Sequence, residues 1–245
     1  MGQFKDLSSD EQAQYRLVVR QMLRLAGSYA IPIIFGDPAW KGRFTSGATG
    51  SVVQVASGFF VITASHVLAG YESFAATQSE SIWQVGNLGF DPRNRIAARD
   101  ASSDVVALRV TESEAMGIGG CIASDVRGWP PPAPSEGQHI FTSGYPKALR
   151  ETAPPGRIGA GPLSMFLRVD SVGSNYFYCQ VEREQMIDCN ENDPVPGDYD
   201  FGGWSGSPIL LTESLTYPLV GIVSEYQRTY GLLRGATLNG LGVIR

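Results

Sequence analysis

From Tyr29 onward the chain consists of short apolar, β-branched and aromatic runs broken by Gly, Pro, Asn and Asp, and no other feature constrains its fold as tightly. Runs that read as strands cover 31–35, 51–56, 58–63, 81–85, 105–110, 139–143, 164–169, 176–181, 208–211 and 219–223. Strands this short and this frequent close into barrels or stack as a sandwich. The stretch Trp129-Pro130-Pro131-Pro132-Ala133-Pro134 cannot continue a central strand, because proline lacks the ladder donor, so a boundary between two β units is expected between 124 and 137. At 245 residues, against about 150 for a typical domain, the chain suits one large all-β domain or two small units packed intimately together. The expected division is a helical extension over 1–28, a first β unit over 29–125 and a second over 126–245.

The extension carries the one convincing long helix, expected over 8–26. Ser8 and Glu11 have the spacing of a capping box, and Tyr15, Val18, Val19, Met22 and Leu25 recur at helical spacing on one face. Such a helix either lies over the body of the domain or docks a regulatory or activating protein partner.

Charged residues make up 18% of the chain, below the usual value of about 25%, and the net charge is −5, which argues against nucleic acid as a partner. Cys121, Cys179 and Cys189 are too few and too scattered for a disulfide framework, which points to a reducing, cytoplasmic setting. The first residues contain no apolar signal-like run, and no stretch is apolar enough for a membrane span, so neither secretion nor a membrane is expected. The two histidines, His66 and His139, occur without a H-E-x-x-H or C-x-x-C pattern, so no metal and no cofactor are expected.

Three segments carry chemistry. His66 closes the strand-like run Gly58-Phe59-Phe60-Val61-Ile62-Thr63-Ala64-Ser65-His66-Val67; Asp104 immediately precedes the β-branched run from Val105; and Ser205 lies between glycines in Gly202-Gly203-Trp204-Ser205-Gly206-Ser207-Pro208. A serine hydroxyl is a weak nucleophile until an imidazole accepts its proton, and a carboxylate fixes the tautomer of that imidazole. In this reading His66 is the base, Asp104 its orienter and Ser205 the nucleophile. Gly203 lets its own N–H and that of Ser205 converge on a developing oxyanion, a contact typically worth about 3 to 4 kcal/mol.

Thr63-Ala64-Ser65-His66-Val67, Asp104-Val105-Val106-Ala107-Leu108, Gly203-Trp204-Ser205-Gly206-Ser207-Pro208 and Gly221-Ile222-Val223-Ser224 together resemble the histidine, aspartate, serine and substrate-strand motifs of chymotrypsin-like (trypsin-fold) serine peptidases. The Ser-Gly-Ser-Pro form is nearer to glutamyl endopeptidases and flavivirus-type proteases than to digestive trypsins. The resemblance implies an all-β fold of two six-stranded antiparallel barrels with an added N-terminal helix, and a polypeptide substrate. It also implies that Ser224, Glu225 and Tyr226 pair with the substrate backbone and that Tyr199 lies near the floor of the pocket for the residue before the cleaved bond.

The sequence departs from trypsins where Trp204 replaces the aspartate that pairs with a newly cut N-terminal amine, so activation by such a cut is not expected. The acidic run over 182–200 favours a basic residue in the pocket, whereas the bulk of Tyr226 favours a narrow one. An α/β-hydrolase is excluded, because its G-x-S-x-G elbow would require glycine where Ser207 stands. The other reading left open is a latent or inactive module that keeps the fold, binds peptides and depends on a partner.

Overall fold

The computed structural model describes residues 7–37, 46–124, 128–147, 150–152, 158–160, 162–181, 201–212 and 217–244. Helix α1 (Ser9–Tyr29) starts where the capping pair puts it. The Glu11 N–H donates to Ser8 Oγ, and the Ser8 N–H donates to Glu11 Oε2 at 2.8 Å. The helix runs three residues past the expected 26, until the Ala30 N–H turns back to Gly27 O and Ile31 opens a strand. Its inward stripe is the expected one in part. Val19 is buried and Met22 packs against the core, together with Ala26, while Tyr15 and Val18 are exposed with Leu17.

Two antiparallel sheets form that body. The first contains β1 (Ile31–Gly36), β2 (Ser46–Val55), β3 (Gly58–Ala64), β4 (Ile82–Val85), β5 (Leu88–Gly89), β6 (Ile96–Asp100) and β7 (Val105–Val110), in the order β5-β4-β1-β2-β3-β7-β6. β8 (Ile122–Ser124) adds to β2 in parallel. The second contains β9 (His139–Gly144), β12 (Leu163–Arg168), β13 (Ser171–Val172), β14 (Tyr176–Gln180), β15 (Pro208–Leu211), β16 (Leu219–Gln227) and β17 (Leu232–Thr237), in the order β12-β9-β15-β16-β17-β14-β13. β10 (Arg150–Thr152) and β11 (Ile158–Ala160) pair separately. Short strands such as β5, β8 and β13 raise the count above six per sheet among the described residues. α1 lies across β9 and β12, where Ser164 Oγ donates to Leu23 O at 3.0 Å.

Two apolar clusters fill the sheets, and the larger one joins them. Phe60, Val61, Ile62 and Leu108 of the first sheet share a continuous core with Phe141, Leu210, Ile222 and Ala236 of the second. The second cluster, around Ile140, Phe177, Trp204 and Leu233, lies within the second sheet. Among the described residues Cys121 and Cys179 are free thiols, and no helix is long and apolar enough to cross a membrane.

One expectation is corrected next to the site. β3 ends at Ala64, and His66 lies in the first turn of helix α2 (Ser65–Ala75) rather than closing the strand. The Ser65 N–H donates to Asp104 O at 3.0 Å, one step further in the register of β3 and β7, and from there the chain turns into α2.

Asp104 lies in the turn between β6 and β7, and the base of that hairpin is strapped. Arg95, just before β6, makes a bidentate pair with Glu114 of α3 (Glu112–Ile118), with contacts of 2.7 and 2.9 Å. Glu114 also accepts from the Thr111 N–H in the capping box of α3. Arg95 and Thr111 together hold the Glu114 carboxyl down at about 2. A lowered carboxylate pKa stabilises the fold above the unfolded value, and that stabilisation is lost as pH falls through the folded one. Glu114→Gln is therefore expected to melt a few degrees below the wild type at neutral pH, with the gap closing as the pH falls from about 4.5 towards about 2 in thermal scans.

Candidate active site

Residues from both sheets meet at one cleft of about 660 Å³, lined by His66, Asp104, Ser205, Ser224, Tyr226 and Arg234 among others. His66 Nδ1 is 2.8 Å from Asp104 Oδ2, and His66 Nε2 is 2.9 Å from Ser205 Oγ. The imidazole is 52% exposed and faces the cleft, whereas the Asp104 side chain is only 14% exposed behind it.

Asp104 is held from several sides. Its backbone takes the left-handed conformation (φ 56°), which aspartate tolerates better than most residues. Oδ1 accepts from the His66 N–H at 2.9 Å, and Oδ2 accepts from Ser224 Oγ at 2.7 Å in addition to the imidazole. Burial pushes the Asp104 carboxyl up, but the hydrogen bonds from His66 and Ser224 outweigh it, and the net shift is below the ordinary aspartate value.

Sequence reading missed Arg234. Its guanidinium donates to Ser224 Oγ at 3.1 Å and pairs with Glu225 at 3.1 Å. Arginine has only N–H donors, so the Ser224 oxygen accepts from Arg234 and its single proton is left for Asp104. The partnership depends on the register Glu225↔Arg234 and on the irregularity between Val223 and Glu225, which sets Ser224 out of the ladder and aims its hydroxyl at Asp104. Strand register of that kind leaves no mark in the sequence around Arg234.

The loop carrying Ser205 is pinned throughout. All five carbonyls from Phe201 to Ser205 accept a hydrogen bond: Phe201 O from Trp204 N, Gly202 O from Lys147 N, Gly203 O from Thr49 Oγ1, Trp204 O from Ser207 N and Ser205 O from Thr49 N. A planar trans peptide points its N–H opposite to its C=O. With the Gly202 and Trp204 carbonyls drawn outward, the N–H groups of Gly203 and Ser205 are left without an acceptor among the described residues. Gly203 (φ 97°) and Gly206 (φ 86°) occupy conformations that other residues rarely adopt, and a Cβ on Gly206 would collide with Thr49 O and Thr63 Oγ1.

Beyond Ile222, β16 no longer pairs with β15, so among the described residues no strand pairs with that edge of Ser224, Glu225 and Tyr226 at the cleft, where Ser224 O accepts from Ser205 Oγ at 3.5 Å. The Glu225 carboxylate is engaged with Arg234. The ring of Tyr226 meets Phe201 edge-on at 4.3 Å, and Phe201 in turn meets Trp204 at 5.2 Å, which joins β16 to the loop carrying Ser205. Tyr199 and the acidic run over 182–200 lie outside the described residues. No cluster of three or more His, Cys, Asp or Glu side chains that would hold a metal occurs among the described residues.

Two joined antiparallel β units with the histidine and aspartate on one and the serine on the other define a chymotrypsin-like serine peptidase fold. The family model described as trypsin-like peptidase domain matches residues 48–222, and the chain belongs to that family. Among solved structures the chain is similar to a Glu endopeptidase solved with MPD, at 17% identity over 89% of this chain and 87% of that one, with a TM-score of 0.51. A second similar chain comes from work on the coupled folding and binding of the intrinsically disordered Sesbania mosaic virus VPg protein. It shows 13% identity over 88% of this chain and 95% of that one, with a TM-score of 0.49. No curated protein matches the sequence.

Removing a donor from Asp104 should let its carboxyl titrate closer to the ordinary aspartate value, so a carbon-detected NMR titration of Ser224→Ala is expected to show the Asp104 carboxyl raised relative to wild type. The wild-type stabilisation from this group is present above the ordinary value and fades as pH falls through the lower folded one. The stability gap between wild type and Ser224→Ala should therefore close under acid.

Proposed function

We propose that the protein is a serine endopeptidase that cleaves polypeptides through an acyl-enzyme on Ser205. The observation that carries this reading is the continuous chain Asp104–His66–Ser205, at 2.8 and 2.9 Å, ending beside two N–H groups that have no acceptor among the described residues.

A substrate strand lies along the free edge of Ser224 to Tyr226 by β-augmentation, which brings its carbonyl carbon to Ser205. Ser205 Oγ attacks that carbon while His66 Nε2 takes the hydroxyl proton, and the negative oxygen is received by the N–H groups of Gly203 and Ser205. The intermediate collapses, the C–N bond breaks, and His66 returns the proton to the departing amine. Water then attacks the ester with His66 as base, and the acid leaves with Ser205 restored. Asp104 keeps the proton of the neutral imidazole on Nδ1 and stabilises the imidazolium each time it forms.

The pinned carbonyls of the 201–205 loop support an active enzyme over a latent or inactive peptide-binding module, because none of them turns into the space an oxyanion would fill. A regulatory partner remains a proposal for α1, whose N-terminal half leaves Tyr15, Leu17 and Val18 exposed.

A fluorophosphonate probe is expected to label Ser205, as located by mass spectrometry, and Ser205→Ala and His66→Ala should abolish the label. Asp104→Asn should lower kcat about ten-thousandfold, because the amide stabilises the wrong imidazole tautomer. A folded wild type that takes up no label would count against an assembled enzyme.

A further inference from the structure

Trypsins hold the loop that donates to the oxyanion with a charged pair, and here Trp204 stands in place of the aspartate that the pair requires. We propose that Thr49 is the positioning residue that does this work, so that the oxyanion hole is formed without cleavage of the chain. The inference rests on the reading of Ser205 as the nucleophile.

Thr49 belongs to β2 of the first sheet and is fully buried, yet its N–H and its hydroxyl are both used across the boundary between the sheets. Its N–H donates to Ser205 O at 3.0 Å, its Oγ1 donates to Gly203 O at 2.9 Å, and its Oγ1 accepts from the Tyr145 N–H at 2.9 Å. Its own carbonyl accepts from Thr63 Oγ1 at 2.7 Å, which anchors the residue to β3. The direction of the chain is forced. A carbonyl can only accept and a backbone N–H can only donate, so the single hydroxyl proton goes to Gly203 O.

Thr49 thereby fixes the peptides 203–204 and 205–206, which flank the peptide carrying the Ser205 N–H. Lys147 N and Ser207 N hold the two peptides that carry the Gly203 and Ser205 donors. Glycines at 144 and 206 make the close approach of strand and loop feasible. A Cβ at 144 would lie 3.2 Å from Thr49 Oγ1, and one at 206 would overlap Thr49 O. Trp204 is buried in the second apolar cluster, whose members among the described residues carry no charge.

The experiment compares wild type, Thr49→Val and Thr49→Ser on a chromogenic ester, with kcat expressed per active site titrated by the acyl-enzyme burst. Thr49→Val keeps the shape but removes the hydroxyl. Its kcat per titrated site should fall about ten- to a hundredfold with KM within about twofold and the acid limb of the pH profile unmoved, while Thr49→Ser stays near wild type. Loss of folded protein alone would lower the burst and leave kcat per site unchanged. Wild-type kcat per site in Thr49→Val, or an equal fall in Thr49→Ser, would overturn the inference, as would a moved acid limb. A second measurement needs no variant. Wild type with a chemically blocked N-terminal amine, confirmed by mass spectrometry, should give the same burst as unblocked protein, and loss of the burst on blocking would overturn the inference. A burst absent from wild type in both forms would overturn the proposed peptidase as well. A normal wild-type burst with unaffected Thr49→Val overturns the role of Thr49 alone.

Discussion

A hydrogen bond of 2.9 Å between His66, beside one sheet, and Ser205, on a loop of the other, exists only if the two β layers are fixed relative to each other to within tenths of an ångström. That constraint explains why the larger apolar cluster does not stop at the edge of the first sheet. Close-packed interiors are not continuously deformable, so a shared core of Ile62 and Leu108 with Phe141 and Ile222 transmits position from one layer to the other. The boundary is also the most polar part of the interior. Thr49, Thr63 and Ser224 are all buried there, and each has found partners on the opposite side of the cleft or on a neighbouring strand. Apolar packing brings the sheets together without direction, and the buried hydroxyls then select one relative placement, because any other would leave them unpaired at a cost of about 1–3 kcal/mol each.

The acid end of the site follows the same logic. Asp104 has to remain an anion while largely withdrawn from water, a situation that burial alone would reverse. It stays charged because each carboxylate oxygen has its own donors, from the His66 backbone on one side and from the imidazole and Ser224 on the other. Arg234 contributes from further back by fixing the direction of the Ser224 proton, and Glu225 balances its charge at the rim of the cleft. A turn in the left-handed region places Asp104 close enough to bond both the backbone and the ring of His66, and the strap between Arg95 and Glu114 closes the hairpin that carries this turn.

Much of this was legible in the sequence, for identifiable reasons. Apolar and β-branched runs broken by turn residues placed most of the longer strands, and the Ser8 and Glu11 spacing placed the start of α1, because both signals are local. The three aligned side chains were legible because His66 and Asp104 stand at the ends of strongly apolar runs, where a polar group is conspicuous, and Ser205 stands between glycines ahead of another strand. What escaped depends on register or on long-range packing. Arg234 reads as an ordinary strand residue until its pairing with Glu225 is known, and Thr49 is one small polar residue in a run of Gly, Ala, Thr and Ser. The inward face of α1 was legible only in part, because spacing identifies a stripe but not how much of it the body covers, and Tyr15 and Val18 of that stripe are exposed.

Replacing an ion pair by neutral contacts under the nucleophile loop has a physical consequence. An α-amino group titrates near 7.7 to 8.0 in water, so a loop held by such a group ties its geometry to that ionisation, and a buried ion pair also carries a desolvation cost of several kcal/mol per ion. Trp204 brings neither. Its indole is buried against Phe201, and although its Nε1 has no hydrogen-bond partner among the described residues, that cost does not vary with pH. The hydrogen bonds that hold the five carbonyls come from backbone N–H groups and one threonine hydroxyl, none of which ionises in the working range of a protein. Among the described residues the loop over 201–207 therefore carries no ionisable side chain, and its placement rests on neutral contacts alone.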